Sequence, residues 1–266
     1  MINSAILQRV SAETADSGRN RPIRGGIRAV TDQYHDAYIK PSGWRELTDV
    51  SIVREYIAIC VAGFLELPVC EPFWVDCPME LKTFKPNGEA KTLGECKWPA
   101  FATAHAGPQW RNWVATENIH PDGLSTAIEI FAFDAFMDNS DRRKENPNLL
   151  VKGPDFRIID HELAFAFADL FIAPTPPWAQ GGLDWMKEGS RQHILYPALK
   201  SSLNINTEQI RERWLNLKDT DLNQIPKDLP DTFKPVEAHA EKVVERIKAV
   251  RDNIYGCLTE LERILS

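Results

Sequence analysis

Two short apolar runs bounded by carboxylate and amide side chains constrain this chain more than any other segment. The runs, residues 149–151 and 156–159, are separated by Gly153-Pro154-Asp155, a composition that favours a turn. We therefore predict a hairpin of two short strands. The polar residues that bracket this hairpin are Asp141, Asn146, Asn148 and Asp160. The hairpin thus carries candidate acids at its two ends.

An acid, an asparagine and a second acid in this order are typical of phosphoryl-transfer sites. One acid lies beside the attacking hydroxyl, while the amide oxygen and the second acid hold magnesium on the phosphates of ATP. We assign Asp141 to the first role and Asp160 to the metal. Asn146 lies five residues after Asp141, a common spacing for the metal-binding asparagine. We favour Asn148, because it immediately precedes an apolar strand that fixes its direction. The alternative is an Asx-rich turn at a helix end.

A lysine and a glutamate upstream supply the remaining parts of such a site. Residues 37–40 predict a short strand that ends at Lys40, and apolar residues at helical spacing over 50–64 predict a helix that carries Glu55. Phosphate-binding lysines are commonly fixed by a helical glutamate, and Lys40 and Glu55 occur in that order. Taken singly, each is better explained as a surface charge, and their order upstream of Asp141 makes the two interpretations about equal.

The sequence gives only a weak indication of a glycine-rich segment that binds phosphate. Gly25 and Gly26 form only a pair, within the strand-like run 24–30. We assign this pair to the nucleotide as a candidate. The chain has no GxxxxGK[ST] motif, which argues against a Walker-type nucleotide site.

The bulk properties exclude several classes of protein. A net charge of -7 argues against direct nucleic-acid binding, which needs a basic face. No apolar run reaches the roughly 18 residues that a spanning helix requires, so we expect no membrane partner. The five cysteines include no CxxC pair. We therefore expect reduced thiols and a cytoplasmic location.

The remaining pattern is mixed. Residues 73–75 predict a buried strand, residues 80–122 read as irregular, and residues 124–137 predict a strongly apolar helix. Residues 207–217 predict another helix, residues 225–230 a proline-punctuated linker, and the chain from about Val236 onward a last helix with a core-facing stripe. A length of 266 residues fits one large domain or two packed lobes.

These residues resemble a known family. Residues 140–150 and 158–165, with Asp141 and Asp160 at the positions described above, resemble the HipA-like kinases of bacteria. The same segment is similar to the more distant phosphatidylinositol 3-/4-kinases. Residues 54–58 through 67–69 also resemble the first-lobe helix of the family and the strand after it. The resemblance extends over residues 20–170.

The resemblance implies an α+β, two-lobed, protein-kinase-like fold with ATP and Mg²⁺ in the cleft. The small, β-rich N-terminal lobe would span residues 1–122, including the connector 80–122, and the larger, mainly helical C-terminal lobe residues 123–266. It also implies a serine/threonine protein kinase with a protein substrate, and a toxin role with an antitoxin partner. The implied roles are Lys40 on the phosphates, Glu55 as its partner, Asp141 as catalytic acid, and Asn146 or Asn148 with Asp160 on the metal.

Two departures from the family pattern keep other functions open. The glycine-rich loop is thin, and Glu162 stands where a glycine usually follows the metal-binding acid. One alternative is a pseudokinase that binds nucleotide, or nothing, and serves as an interaction module. Others are a lipid or small-molecule kinase with the same cleft, and an α/β domain whose acids never meet.

Overall fold

The protein is described by a computed structural model that covers residues 2–11, 20–86, 89–169, 174–200 and 206–266. Five strands form a closed barrel in the order β1-β2-β3-β5-β4, and a parallel pairing of the first and fourth strands closes it. The barrel strands are β1 (Asn3–Val10), β2 (Ile23–Ala29), β3 (Tyr34–Lys40), β4 (Pro72–Asp76) and β5 (Ala100–Ala104). The predicted strands at 24–30, 37–40 and 73–75 are confirmed.

The helix α1 (Asp49–Phe64) follows β3 and confirms the helix predicted from the apolar spacing. It begins at a capping box, in which the Thr48 hydroxyl accepts from the Ser51 N–H and the Ser51 hydroxyl accepts from the Thr48 N–H. Most of its residues are buried, because Tyr56 packs on Trp74 and Phe101 of the barrel and the helix also contacts the C-terminal helices. This burial places Glu55 inside the protein.

The hairpin predicted after residue 148 is confirmed. The second sheet comprises β6 (Arg111–Asn112), β7 (Leu149–Lys152) and β8 (Asp155–Ile158), with antiparallel pairing throughout. Leu149 pairs with Ile158, so the start of β7 and the end of β8 lie side by side. The hairpin therefore brings the residues just before it next to those just after it.

The helical remainder of the described chain packs around this hairpin and α1. Its helices are α2 (Met79–Lys82), α3 (Leu124–Phe136), α4 (Tyr196–Lys200), α5 (Glu208–Leu215), α6 (Asp219–Lys227), α7 (Glu237–Asp252) and α8 (Ile254–Leu265). The predicted apolar helix over 124–137 is confirmed as α3, whose buried residues run from Ala127 to Phe136. Among the described residues, no helix is long and apolar enough to cross a bilayer.

Three details of the sequence prediction are wrong. The linker expected from residue 225 begins inside α6, which continues to Lys227 with Pro226 in its last turn. The single last helix is two, since Asn253 separates α7 from α8. The stretch 80–122 is not wholly irregular, because it contains α2, β5 and β6. The predicted core stripe along the last helices is confirmed, and Val243, Ile247, Val250, Ile254, Leu258 and Leu261 are all buried.

Candidate active site

A buried lysine lies at the centre of the candidate site. Lys40 ends β3, and only 8% of it is exposed. Its Nζ lies 2.7 Å from Asp160 Oδ1 and 3.3 Å from Glu55 Oε2. A third carboxylate, Glu162 Oε2, lies 3.6 Å away. The structure therefore brings Lys40, Glu55 and Asp160 together and adds Glu162.

The charges in this cluster shift each other's titration. Burial disfavours the Lys40 ammonium, but the carboxylates of Asp160, Glu55 and Glu162 outweigh it and raise the pKa of Lys40. Burial would likewise raise the pKa of Glu55, but Lys40 and contacts from His161 lower it to about 2. The Lys40 ammonium thus keeps the buried Glu55 carboxylate in its charged form.

Glu162 behaves differently from Glu55. Burial, opposed by Lys40 and reinforced by the negative charge of Asp160, raises the pKa of Glu162 to about 7. Its Oε1 accepts a hydrogen bond from the Asn20 amide, which lies just before β2. Its Oε2 has no hydrogen-bond partner within the described part of the chain. The sequence marked Glu162 only as a departure from the family, not as a member of the site.

The second half of the site is built around Asp141. Asn146 Nδ2 donates to Asp141 Oδ2 at 2.6 Å, and Asn148 Nδ2 donates to the same oxygen at 3.1 Å. Asn148 Nδ2 also lies 3.5 Å from the backbone oxygen of Asp160. Both asparagines therefore touch the candidate catalytic acid. Asn148 alone of the two also contacts the Asp160 backbone, and the choice between them as metal ligand stays a prediction.

The backbone at Asn148 and Asp160 is held in an unusual conformation. The φ angles of these residues are +46° and +59°, in the left-handed region that residues other than glycine seldom adopt. The Ile159 N–H donates to the Asn148 carbonyl at 3.1 Å, which ties the two positions across the end of the hairpin. Strained backbone of this kind gathers at functional sites, where the surrounding structure maintains it.

The oxygen ligands present suit a hard divalent cation. Burial and the nearby charge of Asp160 raise the pKa of Asp141, so a cation between the two acids would relieve their repulsion. Over the described ranges, no three His, Cys, Asp or Glu side chains are placed to hold a metal ion. Magnesium is usually bound by one or two carboxylates together with substrate phosphates. Asp141, Asp160 and an asparagine oxygen fit that pattern.

A buried polar network supports the site from behind. Arg142 is 1% exposed, and its Nε donates to Asp134 Oδ2 at 2.5 Å. Its Nη1 donates to the backbone oxygens of Asn148 and Ile159, the latter at 3.3 Å. Asp134 on α3 also accepts from Asn139 Nδ2 at 2.6 Å. This ion pair therefore fixes both ends of the hairpin.

Sequence reasoning missed Asp134. The available signal was a single aspartate within the otherwise apolar run Ile130–Phe136, where a buried acid requires a partner. Its partner could not be named from the sequence, because several positively charged residues follow it in the chain.

Gly25 and Gly26 lie within β2, paired with Val10 and Arg9 of β1. A Cβ on Gly25 would meet the Arg9 backbone oxygen at 2.7 Å, and one on Gly26 would meet the Arg9 side chain at 2.8 Å. Close strand packing therefore accounts for both glycines. Their assignment to the nucleotide stays a prediction.

Comparison with known proteins agrees with the resemblance. Residues 35–259 match the sequence model of the HipA-like kinase family. The match covers most of the chain, and the chain belongs to this family, which confirms the resemblance seen in the sequence. A comparison with curated proteins gave no significant match.

Solved structures give more distant likenesses. The Helicobacter pylori proinflammatory kinase CtkA has a TM-score of 0.49 and 13% identity, over 96% of this chain and 96% of that one. The Golgi casein kinase with Mn/ADP bound has a TM-score of 0.47 and 12% identity, over 96% of this chain and 74% of that one. A further structure of the Golgi casein kinase has a TM-score of 0.47 and 10% identity, over 97% and 74%. Likenesses this distant assign no residue roles.

Proposed function

We propose that this HipA-like kinase is an ATP- and Mg²⁺-dependent phosphotransferase that transfers the γ-phosphate to a serine or threonine hydroxyl of a protein. The observation that carries the proposal is the meeting of two predicted groups. Lys40 with Glu55 and Asp160 forms one, and Asp141 with Asn148 forms the other. The backbone contact between Asn148 and Asp160 joins them.

Each side chain has a role that its surroundings support. Lys40 would bind the nucleotide phosphates, with Glu55 restraining its Nζ from α1. Asp141 would orient the acceptor hydroxyl and take its proton. Asp160 and Asn148, or Asn146, would hold the metal, which when bound offsets the charge on the transferred phosphoryl group. On nucleotide binding, the Lys40 ammonium would exchange its contact with Asp160 for a contact with the phosphates.

The acceptor, the partners and the lobes extend this proposal. A protein acceptor is supported by membership in a kinase family. A toxin role with an antitoxin partner and a lobe boundary at residues 122 and 123 follow from the resemblance, and a cytoplasmic location follows from the cysteine pattern. The barrel lies before that boundary and most of the helices after it, while β6 pairs across it with β7.

Radiolabelled ATP with Mg²⁺ tests the proposal. We expect autophosphorylation or transfer to a protein acceptor by the wild type. Asp141→Asn and Asp160→Asn should each lower the rate by more than about a hundredfold, because they remove groups that act on the reacting centre. Glu145→Gln changes an exposed acid in the same loop and should leave the rate unchanged. Equal loss in all three variants, or full activity in both aspartate variants, would contradict the assignment.

One observation favours a second candidate, a nucleotide-binding pseudokinase. Glu162 Oε2 lies 3.6 Å from the Lys40 ammonium, where its negative charge would oppose a phosphate. Calorimetry with Mg²⁺ and ADP distinguishes the two functions. The pseudokinase would be established if the wild type binds Mg²⁺-ADP, Lys40→Met abolishes this binding, and no phosphate is transferred to any acceptor tried. Restoration of transfer by Glu162→Gln would show that this carboxylate suppresses the activity.

A further inference from the structure

A buried histidine connects the two halves of the site. His161 follows Asp160 and is 0% exposed. Its backbone N–H donates to the Glu55 carboxylate, and its ring Nδ1 lies 3.9 Å from Glu55 Oε1. On the other side of the ring, Nε2 lies 3.0 Å from Arg142 Nη2. The edge contact with Phe133, with ring centroids 5.9 Å apart, completes its surroundings.

The chemistry of arginine fixes the tautomer of this ring. A guanidinium only donates hydrogen bonds, so His161 Nε2 must accept from Arg142 and carry no proton. The ring proton then lies on Nδ1. That N–H has no hydrogen-bond partner among the described residues, and it is separated from Glu55 Oε1 by more than a hydrogen-bond distance. A buried donor in this condition is costly unless an acceptor approaches it.

The contacts of His161 continue into the hairpin. Arg142 donates to the backbone oxygens of Asn148, a candidate metal ligand, and of Ile159, which precedes Asp160. On the opposite side, Glu55 lies 3.3 Å from the Lys40 ammonium. A series of polar contacts thus runs from the lysine on the barrel to the asparagine just before β7. The link from His161 to α1 is its backbone N–H on Glu55, and the link to the hairpin is its ring Nε2 beside Arg142.

We propose that His161 is a positioning residue that couples Glu55 to the loop that carries Asp141 and Asn148. When Lys40 moves from Asp160 to a phosphate, the Glu55 carboxylate accepts a hydrogen bond from the Nδ1–H of His161. The contact of Nε2 with Arg142 meanwhile holds the two ends of the hairpin in position. This inference rests on the proposed function. It assigns His161 no contact with the nucleotide or the metal, and no proton leaves the ring.

Kinetics of substituted proteins test the coupling. His161→Phe keeps a ring against Phe133 and removes both nitrogens. We expect kcat to fall by at least about tenfold, while KM for ATP and the Kd for Mg²⁺-ADP change by less than about threefold. His161→Gln restores an acceptor toward Arg142 and should recover most of kcat. Phe133→Leu tests packing alone: a loss equal to that of His161→Phe would overturn the proposal. His120→Phe, at an exposed histidine, is the matched control.

A double-mutant cycle sharpens this test. If His161 transmits the position of Glu55, the effects of Glu55→Gln and His161→Phe on kcat will be strongly non-additive, since either change breaks the same series of contacts. Purely additive effects would overturn the coupling. Circular dichroism of each variant confirms that the comparison is made between folded proteins.

A measurement that needs no transfer separates this inference from the proposed function. Ring ¹⁵N resonances of His161, assigned by their loss in His161→Gln, should report the Nδ1–H tautomer. Glu55→Gln should shift the Nε2 resonance, which faces Arg142. If the wild type transfers no phosphate, the proposed function fails while this shift still establishes the coupling. An Nε2–H tautomer, or an Nε2 resonance that does not shift in Glu55→Gln, overturns the inference.

Discussion

At the scale of single residues, two buried histidines hold opposite tautomers for reasons visible in their partners. His161 accepts at Nε2 from an arginine, whereas His193 Nε2 lies 2.9 Å from Asp134 Oδ2, an acceptor. His193 Nδ1 in turn accepts from the Leu195 N–H at 3.2 Å. The His193 ring is therefore neutral in the folded protein, and both rings contact the Arg142–Asp134 ion pair.

The neutrality of His193 predicts a pH dependence of stability. Burial lowers the pKa of His193, although Asp134 opposes this shift. Below the unfolded-state pKa of about 6.5, the unfolded chain gains a proton that the folded ring resists. The contribution of neutral His193 to the free energy of unfolding is thus complete above that pH. It is lost as the pH falls toward the lower pKa of His193 in the folded state. We expect the free energy of unfolding in urea to decline over this range.

A matched variant isolates the contribution of His193 to this pH dependence. His193→Gln keeps a donor toward Asp134 but cannot titrate, so the decline of the unfolding free energy just below about pH 6.5 should become shallower. His120→Gln, at an exposed histidine, should leave the slope as in the wild type. Parallel curves for the wild type and His193→Gln would show that His193 is not the group that responds.

The same residues show what a sequence reveals about a site. Lys40, Glu55, Asp141, Asn148 and Asp160 could be selected because phosphoryl transfer needs those groups in that order along the chain, and the structure brings them together. Asp134, His193 and Glu162 could not, because their importance arises from contacts between distant segments. Their roles depend on burial, which local pattern does not report.

At the scale of elements, apolar spacing located α1, α3 and the β7–β8 hairpin because each buries a regular set of positions. It missed β1, in which Ala5 and Leu7 face the core while Ile6 between them is exposed, so the alternation is blurred. It also missed β5, in which Phe101 stands among three alanines and a threonine, which give little hydrophobic signal. The prolines predicted a linker over residues 225–230, but the burial of Leu222 and Ile225 keeps the turn around Pro226 helical.

The contact between β1 and β2 supplies an element-scale prediction. Gly25→Ala would place a Cβ 2.7 Å from the Arg9 backbone oxygen, so the two strands must separate. We expect a loss of about 1–3 kcal/mol of stability, measured by urea unfolding, as for other overpacked sites. Gly63→Ala in α1 is the matched control, since its Cβ meets nothing within 4 Å. It should stabilise the protein by up to about 1 kcal/mol. A stable Gly25→Ala protein would contradict this account of β2.

At the scale of the whole molecule, polar contacts as well as the core join the barrel and α1 to the later part of the chain. The Lys40–Asp160 ion pair reaches from β3 to the end of the hairpin, and the Tyr56 hydroxyl on α1 donates to the Ile225 oxygen of α6 at 3.1 Å. The first of these contacts lies in the candidate site, and the second lies away from it. Nucleotide binding would therefore act on a contact that also holds the molecule together.

This arrangement predicts how nucleotide changes global stability. A ligand that binds only the folded protein at a hundred times its Kd stabilises it by about 2.7 kcal/mol. With Mg²⁺ present, ADP should therefore raise the unfolding temperature of the wild type. The rise should vanish in Lys40→Met, which removes the cation that binds the phosphates, but persist in Lys97→Met, at a lysine that is 52% exposed. Because Lys40→Met also leaves Glu55 buried without its cation, its unfolding temperature without nucleotide should already be lower. An equal rise with ADP in all three proteins would place the nucleotide away from Lys40.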